Sequence, residues 1–139
     1  MTERDLLARL KTQCSALCGE RIYLGDAVVC LEQEVYPALY AYHVKDQAKS
    51  ATTQHGVRQI VTATFGVYCV ADRNAYGASA DDLWRLRTAV QTALIGHTFP
   101  GCLCPMRLVE GYRVKAEALA VVWLDLYAAD DLVIREPLP

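Results

Sequence analysis

Residues 57–99, VRQIVTATFGVYCVADRNAYGASADDLWRLRTAVQTALIGHTF, decide how this chain folds. Strand side chains alternate between two faces with a period of two. From Val57 to Ala71 that rule puts Val61, Ala63, Phe65, Val67, Cys69 and Ala71 on one face. It puts Ile60, Thr62, Thr64, Tyr68 and Val70 on the other. A turn at Asp72-Arg73-Asn74 then feeds a helix predicted over Ser79 to Ile95. Ser79 with Asp82 reads as a capping pair, Asp81 and Asp82 suit the positive end of the helix dipole, and Gly96 and Pro100 stop the helix. Leu83, Leu86, Val90, Ala93 and Leu94 share its apolar face, while Arg85, Arg87 and Gln91 point elsewhere. A strand this long offers more edge and face than one hairpin partner covers. It points to a sheet extended or covered by other copies of the chain, and to assembly rather than catalysis.

Working outward, the start of the chain reads as a helix from Thr2 or Glu3 to Cys18. Thr2 caps it, Asp5 reaches back to the first free amides, and Gly19 supplies a left-handed stop. Leu6, Leu7, Leu10, Cys14 and Leu17 form its apolar stripe. Arg21 to Leu24 and Ala38 to Lys45 read as strands, separated by an irregular segment with a helical turn around Val28 to Gln33. Asp46 to Gly56 is polar and aperiodic, and it is predicted to be a long hairpin loop; loops of that length are commonly functional. Met106 to Val114 and Ala118 to Tyr127 complete the pattern as an antiparallel pair that turns near Lys115 to Glu117, and Asp130-Asp131 follows as a loop. The element order α-β-β-β-α-β-β contains no βαβ repetition. The expected fold is therefore α+β, a largely antiparallel sheet with two main helices on one face, in a single domain over residues 1–139.

The chain has 139 residues, enough to bury a real core. Apolar residues at 53% exceed the usual share, so the core is large or some apolar surface meets a partner. The net charge of −2, without a basic run, argues against tight binding of nucleic acid, because phosphate neutralisation supplies most of that affinity. The first ten residues are charged and helical in pattern, unlike a signal peptide, and no apolar run is long enough to span a bilayer. Six cysteines, at positions 14, 18, 30, 69, 102 and 104, then read as reduced thiols of a cytosolic product.

Several side-chain sets invite a chemical reading. Cys14-x3-Cys18 and Cys102-x-Cys104 hold four thiols that zinc accepts, although neither has the usual C-x2-C spacing and Cys14 lies on an apolar stripe. Cys69 falls on the apolar strand face and reads as core. His43, His55 and His97 leave a Cys–His nucleophilic pair open, since such partners meet only in the fold; His97 also suits the negative end of the second helix. Asp81-Asp82 reads as a cap and Asp130-Asp131 as solvated charge. No phosphate-binding glycine loop, nucleophile elbow or H-E-x-x-H occurs, and no catalytic, metal-binding or cofactor-binding residue is assigned. Eight tyrosines and two tryptophans suit either half-buried sheets or protein interfaces.

A family resemblance spans nearly the whole length. It rests on Asp5-Leu6-Leu7-Ala8-Arg9-Leu10, Arg21-Ile22-Tyr23-Leu24 and Pro37-Ala38-Leu39-Tyr40. It continues through Phe65-Gly66-Val67-Tyr68-Cys69-Val70, Asp81-Asp82-Leu83-Trp84-Arg85-Leu86-Arg87 and Trp123-Leu124-Asp125-Leu126-Tyr127. In order and spacing these resemble the tail terminator proteins of long-tailed bacteriophages, including small Mu-like and lambda-like members. The resemblance implies one subunit of a homohexameric ring in the virion, at the junction of tail and neck. Such a ring caps the tail tube, ends its polymerisation and offers a docking surface to the head-tail connector or stopper protein. Its partners would be copies of itself, the major tail tube protein and the connector, with DNA passing through the lumen without specific binding and with no membrane. It implies no enzyme activity and no cofactor. Within this picture Lys45, Lys49, Gln54, His55 and Arg58 are the expected contacts to neighbouring subunits or the tube. The alternatives are another neck or tail-completion ring protein or, from a different class, a small cytosolic Cys/His-dependent enzyme or metal-binding protein. The six cysteines are not explained by the resemblance.

Overall fold

The computed structural model describes residues 1–25, 37–49, 57–72, 78–114 and 120–135. Helix α1 (Glu3–Cys18) is followed by β1 (Ile22–Leu24), β2 (Ala38–Ala48), β3 (Val57–Asp72), α2 (Ala78–Leu94), β4 (Arg107–Val114) and β5 (Ala120–Arg135). The five strands form one sheet in the order β1-β2-β3-β5-β4. Only β1 and β2 run parallel; the other three pairings are antiparallel. This is the α+β arrangement and element order that the sequence pattern predicts.

Local chemistry starts α1 where expected. The Asp5 amide donates to the Thr2 hydroxyl at 3.3 Å, and the Thr2 amide donates to the Asp5 carboxylate at 2.7 Å, a reciprocal capping box. Gly19 ends the helix at φ 58°, in the region that glycine tolerates without strain. The buried stripe is Leu6, Leu10, Cys14 and Cys18; Leu17, expected on it, is exposed, because the sheet lies on the Cys18 side of that turn. Helix α2 begins at Ala78, so Ser79 lies inside its first turn rather than at its cap. The α2 face of Leu86, Val90, Ala93 and Leu94 is buried as predicted, and Arg9 of α1 donates to the Ala93 carbonyl at 2.9 Å, tying the helices together.

Both helices bury their stripes against one side of the sheet. That core joins them to Leu39 and Ala41 of β2, to Ala63, Phe65, Val67 and Cys69 of β3, and to Tyr127 and Ala129 of β5. The opposite side carries a second cluster built on Tyr40, Tyr68, Val70, Val122 and Leu124. The alternation along β3 therefore sorts its residues between two cores as the sequence implies. Tyr127 brings one defect into the first core: its hydroxyl is buried with no hydrogen-bond partner among the described residues.

Three strand expectations change. The first concerns β3, which lies at the centre of the sheet and pairs with β5 along its whole length, from Val57 opposite Arg135 to Asp72 opposite Ala120, and with β2 from Val61 to Val70. It is flanked on both sides within the chain from Val61 to Val70, and among the described residues the outermost strands of the sheet are β1 and β4. Next, β2 continues to Ala48, because Asp46, Gln47 and Ala48 pair with Ala63, Thr62 and Val61; backbone pairing persists where side-chain patterning is polar. Finally, β5 continues to Arg135, which places Asp130 and Asp131 in a strand rather than a loop. The helical turn expected around Val28 to Gln33 and the turn at Lys115 to Glu117 lie outside the described residues. Among the described residues, no helix is long and apolar enough to cross a membrane.

Candidate assembly surfaces

The 16 residues of β3 span about 50 Å at the usual strand rise. The 17 residues of α2 span only about 25 Å. The sheet therefore outruns its helices, and the far ends of β2, β3 and β5 form an arm. A bulge at Val44, between His43 and Lys45, resets the alternation of β2 as it enters this arm. After the bulge Lys45 stands opposite Thr64 and Asp46 opposite Ala63, so His43 and Asp46 share the helix side of the sheet. The His43 ring meets the Asp46 carboxylate at 2.7 Å and packs on Phe65 with centroids 5.1 Å apart. Residues 44–49 are all exposed.

The arm is fastened by polar contacts. The Lys49 amide donates to the Ile60 carbonyl at 2.9 Å, and the Gln59 amide group donates to the Lys49 carbonyl at 2.8 Å. On the side away from the helices, Thr62 donates to Asp130 at 2.6 Å and Arg107 approaches the same carboxylate at 3.4 Å. The Thr62 hydrogen bond above all, then Arg107, holds the Asp130 carboxyl below its ordinary range, against the opposing effect of burial.

Where α1 begins beside the arm, an open recess of about 340 Å³ is lined by Met1, Glu3, His43, Asp46, Phe65 and Asp131, with other residues. Its polar groups are spent on one another. The His43 amide donates to Glu3 at 2.9 Å, the Met1 amino group lies 3.3 Å from Asp131, and the Cys102 thiol donates to Asp131 at 3.0 Å. Burial pushes the Cys14 thiol up to about 11, and burial with the neighbouring Cys14 pushes Cys18 up to about 12. Burial and the Asp131 contact raise Cys102 to about 11. Such thiols stay protonated near neutral pH and are poor nucleophiles and poor metal ligands. Cys14 and Cys18 lie in the helix-side core with Cys69, and among the described residues no group of three or more His, Cys, Asp or Glu is placed to hold a metal.

A buried ion pair locks the other flank. Asp125 of β5 is fully buried and receives Arg87 Nε at 3.1 Å, Arg87 Nη2 at 3.0 Å and Trp123 Nε1 at 3.0 Å. The Arg87 guanidinium lies 4.0 Å from the Trp123 ring centroid and 5.7 Å from that of Trp84. Gly111 of β4 makes room for this carboxylate, since a side chain there would run into Asp125 and Trp123. Arg87, expected to point away, is thus turned inward, and Trp84 remains 67% exposed on the outer surface of α2.

With this architecture in place, the family model for the phage tail terminator protein matches residues 4–136. The chain belongs to the phage tail terminator family. No curated protein sequence matches it. Among solved structures it is similar to a chain of the virion of a native gene transfer agent particle. That chain is 16% identical, with 93% of each chain covered and a TM-score of 0.60, a likeness in fold. A second solved chain aligns at 14% identity over 93% of this chain and 96% of its own, with a TM-score of 0.42.

As a tail terminator the protein is a structural component of the phage tail, and of the contact residues expected from sequence Lys45, Lys49 and Arg58 fall on its arm. Lys45 and Lys49 are exposed on β2 and just beyond it, and the Arg58 backbone pairs with Ile134 at the same end of the sheet. Gln54 and His55 lie outside the described residues. Sequence reasoning missed the exposure of β4, where Arg107 to Arg113 are all exposed and Leu108, Val109 and Tyr112 include large apolar surface. Its apolar and charged residues alternate irregularly because of a bulge at Val109, which masks the signal a regular edge strand would give.

Proposed function

We propose that residues 1–139 act as one domain, and that six copies form a ring capping the phage tail tube at the tail–neck junction. Seated on the last tube layer, the ring covers the surface on which another layer would stack and so ends polymerisation. Its opposite surface receives the head connector or stopper protein, and DNA passes through the lumen without specific binding. The observation that carries this reading is the family match over residues 4–136, on a fold whose sheet extends an exposed polar arm past its helices. The arm with Lys45, Lys49 and Arg58, together with Gln54 and His55 from the segment that follows β2 in sequence, is the tube or subunit contact in this proposal.

Chemistry by a Cys–His pair or a thiolate-bound metal finds little support, because burial holds Cys14, Cys18 and Cys69 in the protonated form. The direct test mixes the purified chain with polymerising major tail tube protein and measures tube lengths by electron microscopy. Capped, shortened tubes with a ring at one end are expected. Tubes that grow as they do alone, with bare ends, would overturn the proposal. Binding to the connector without binding to tube would instead favour a different neck or tail-completion ring protein.

A further inference from the structure

A single transverse row of side chains crosses the whole sheet on the side away from the helices. Tyr23 of β1 stands opposite Tyr40, Tyr40 opposite Tyr68, Tyr68 opposite Leu124, and Leu124 opposite Tyr112 of β4. The Tyr23 and Tyr40 rings stack with centroids 5.1 Å apart. The row ends in a tyrosine at each free edge of the sheet, and at the β4 end Tyr112 is 47% exposed. Among the described residues no strand pairs with the outer side of either β1 or β4.

The two edges differ, and each exposes apolar side chains. Leu24 is exposed on β1, and Leu108, Val109 and Tyr112 are exposed on β4. An isologous dimer would use one patch twice, whereas two unlike patches at opposite ends suit a head-to-tail contact, which forms a ring when the rotation between copies closes. Strand sense fixes the rest. Strand β1 runs with β2, and three antiparallel steps lead on through β3 and β5 to β4. Within one copy β4 is therefore antiparallel to β1. A rotation that brings the next copy into line keeps the sense of each strand, so β4 meets the neighbouring β1 antiparallel.

We propose that the occupant of the β4 edge is the β1 edge of a second copy of this chain, with Tyr112 opposite the neighbour's Tyr23. This inference rests on the ring reading and names the surface that closes the ring. In that register the tyrosine row continues from copy to copy. Arg113 falls opposite Ile22 and diagonal to Glu20, while the exposed Leu24 falls beside the bare Gly111. Arg113 and Glu20 are both exposed, and neither forms an ion pair among the described residues, so in this register the two are complementary in charge. Beyond the bulge at Val109, residues Glu110 to Val114 are regularly paired on their inner side and match in length the run from Glu20 to Leu24. Unpaired strand edges with exposed apolar side chains recruit further strands.

The test uses the full chain carrying Cys104→Ser, because Cys104 is exposed and would cross-link unspecifically. Tyr23→Cys and Tyr112→Cys are added singly and together, and the proteins are mildly oxidised with and without tail tube. The double variant should give a ladder of covalent oligomers ending in one closed species, and each single variant none. Covalent dimers from Tyr112→Cys alone would show a two-fold β4–β4 contact and overturn the inference. Since Tyr23 packs on Tyr40, a second pair guards against loss of folding: Glu20→Arg and Arg113→Glu should each weaken assembly at least tenfold, and the combination should restore it. Rings seen by native mass spectrometry without the ladder, and indifferent to both charge reversals, would leave the ring standing and sink this edge contact. A chain that stays monomeric even on tube ends would overturn the ring and the edge contact together.

Discussion

Arg87 on α2 meets the buried carboxylate of Asp125 on β5 through two hydrogen bonds of 3.1 and 3.0 Å, roofed by the Trp123 indole. This pair joins the helix layer to the strand beside the β4 edge. Removing one partner leaves the other charged and desolvated, so Arg87→Ala is expected to cost about 3–5 kcal/mol. Replacing both residues, as Arg87→Met with Asp125→Leu, should recover part of that loss. Urea denaturation of the three proteins checks the ordering, and a double variant as unstable as Arg87→Ala would contradict it.

Gly111 is required by the same pair. The space a Cβ would occupy there already holds the Asp125 carboxylate and lies 3.0 Å from Trp123 Nε1. Gly111→Ala has no relaxed position in a pair already packed, and overpacking of this kind costs about 1–3 kcal/mol. Combining it with a shortened Asp125 side chain should make it less costly than in the wild type. Thermal unfolding reads the difference.

How much of this was legible beforehand follows from which forces are local. The α1 capping box, the α2 apolar face and the two faces of β3 are short-range patterns, and the fold class followed from them. The failures are long-range. Asp46 to Ala48 look like loop because their side chains are polar, yet β3 supplies backbone partners for them. Asp130 and Asp131 look solvated, yet Thr62, Arg107 and the Met1 amino group converge on them. Arg87 looks outward-facing on a helical wheel, and only the Asp125 partner 38 residues away turns it in. The length of β3 pointed rightly to more than one hairpin partner, but not to which strands flank it, since strand order is not written in any local pattern.

Thr62 is expected to give a pH-dependent signature. The folded Asp130 carboxyl is held below the ordinary aspartate range, so the contact stabilises the fold fully above the unfolded-chain pKa of about 3.9. The stabilisation is lost as the pH falls through the depressed folded pKa. Thr62→Ala should therefore lower stability near neutral pH by about 1.5–3 kcal/mol, the scale of a hydrogen bond to a charged group. The gap to wild type should narrow in acid. A gap that stays constant through the acid range would assign the loss to packing instead.

Thiol reactivity should separate surface from core. Cys104 is exposed, whereas Cys14, Cys18 and Cys69 are buried and held protonated. With a thiol reagent at about pH 8, peptide mass spectrometry should find Cys104 modified ahead of those three, which react only after denaturation. Cys102 should lag behind Cys104, because its thiol is raised to about 11 by burial and by its bond to Asp131. Labelling of Cys14 as quickly as Cys104 would show that α1 does not pack as described.

Tyr127 offers a substitution expected to stabilise. Its ring is fully buried against the helix-side core, and its hydroxyl has no hydrogen-bond partner among the described residues. Burial, reinforced by the Asp125 charge, also pushes its ionisation well above the ordinary tyrosine range, so the group stays neutral and contributes no charge. A buried hydroxyl that makes no bond carries its full desolvation cost, about 1–3 kcal/mol, while the ring supplies the packing. Tyr127→Phe keeps the ring and removes that cost, and should raise the unfolding midpoint in urea without changing its slope. A fall in stability would mean that the hydroxyl is bonded, by an ordered water or by a residue outside those described, and that the first core is wetter than its apolar lining implies.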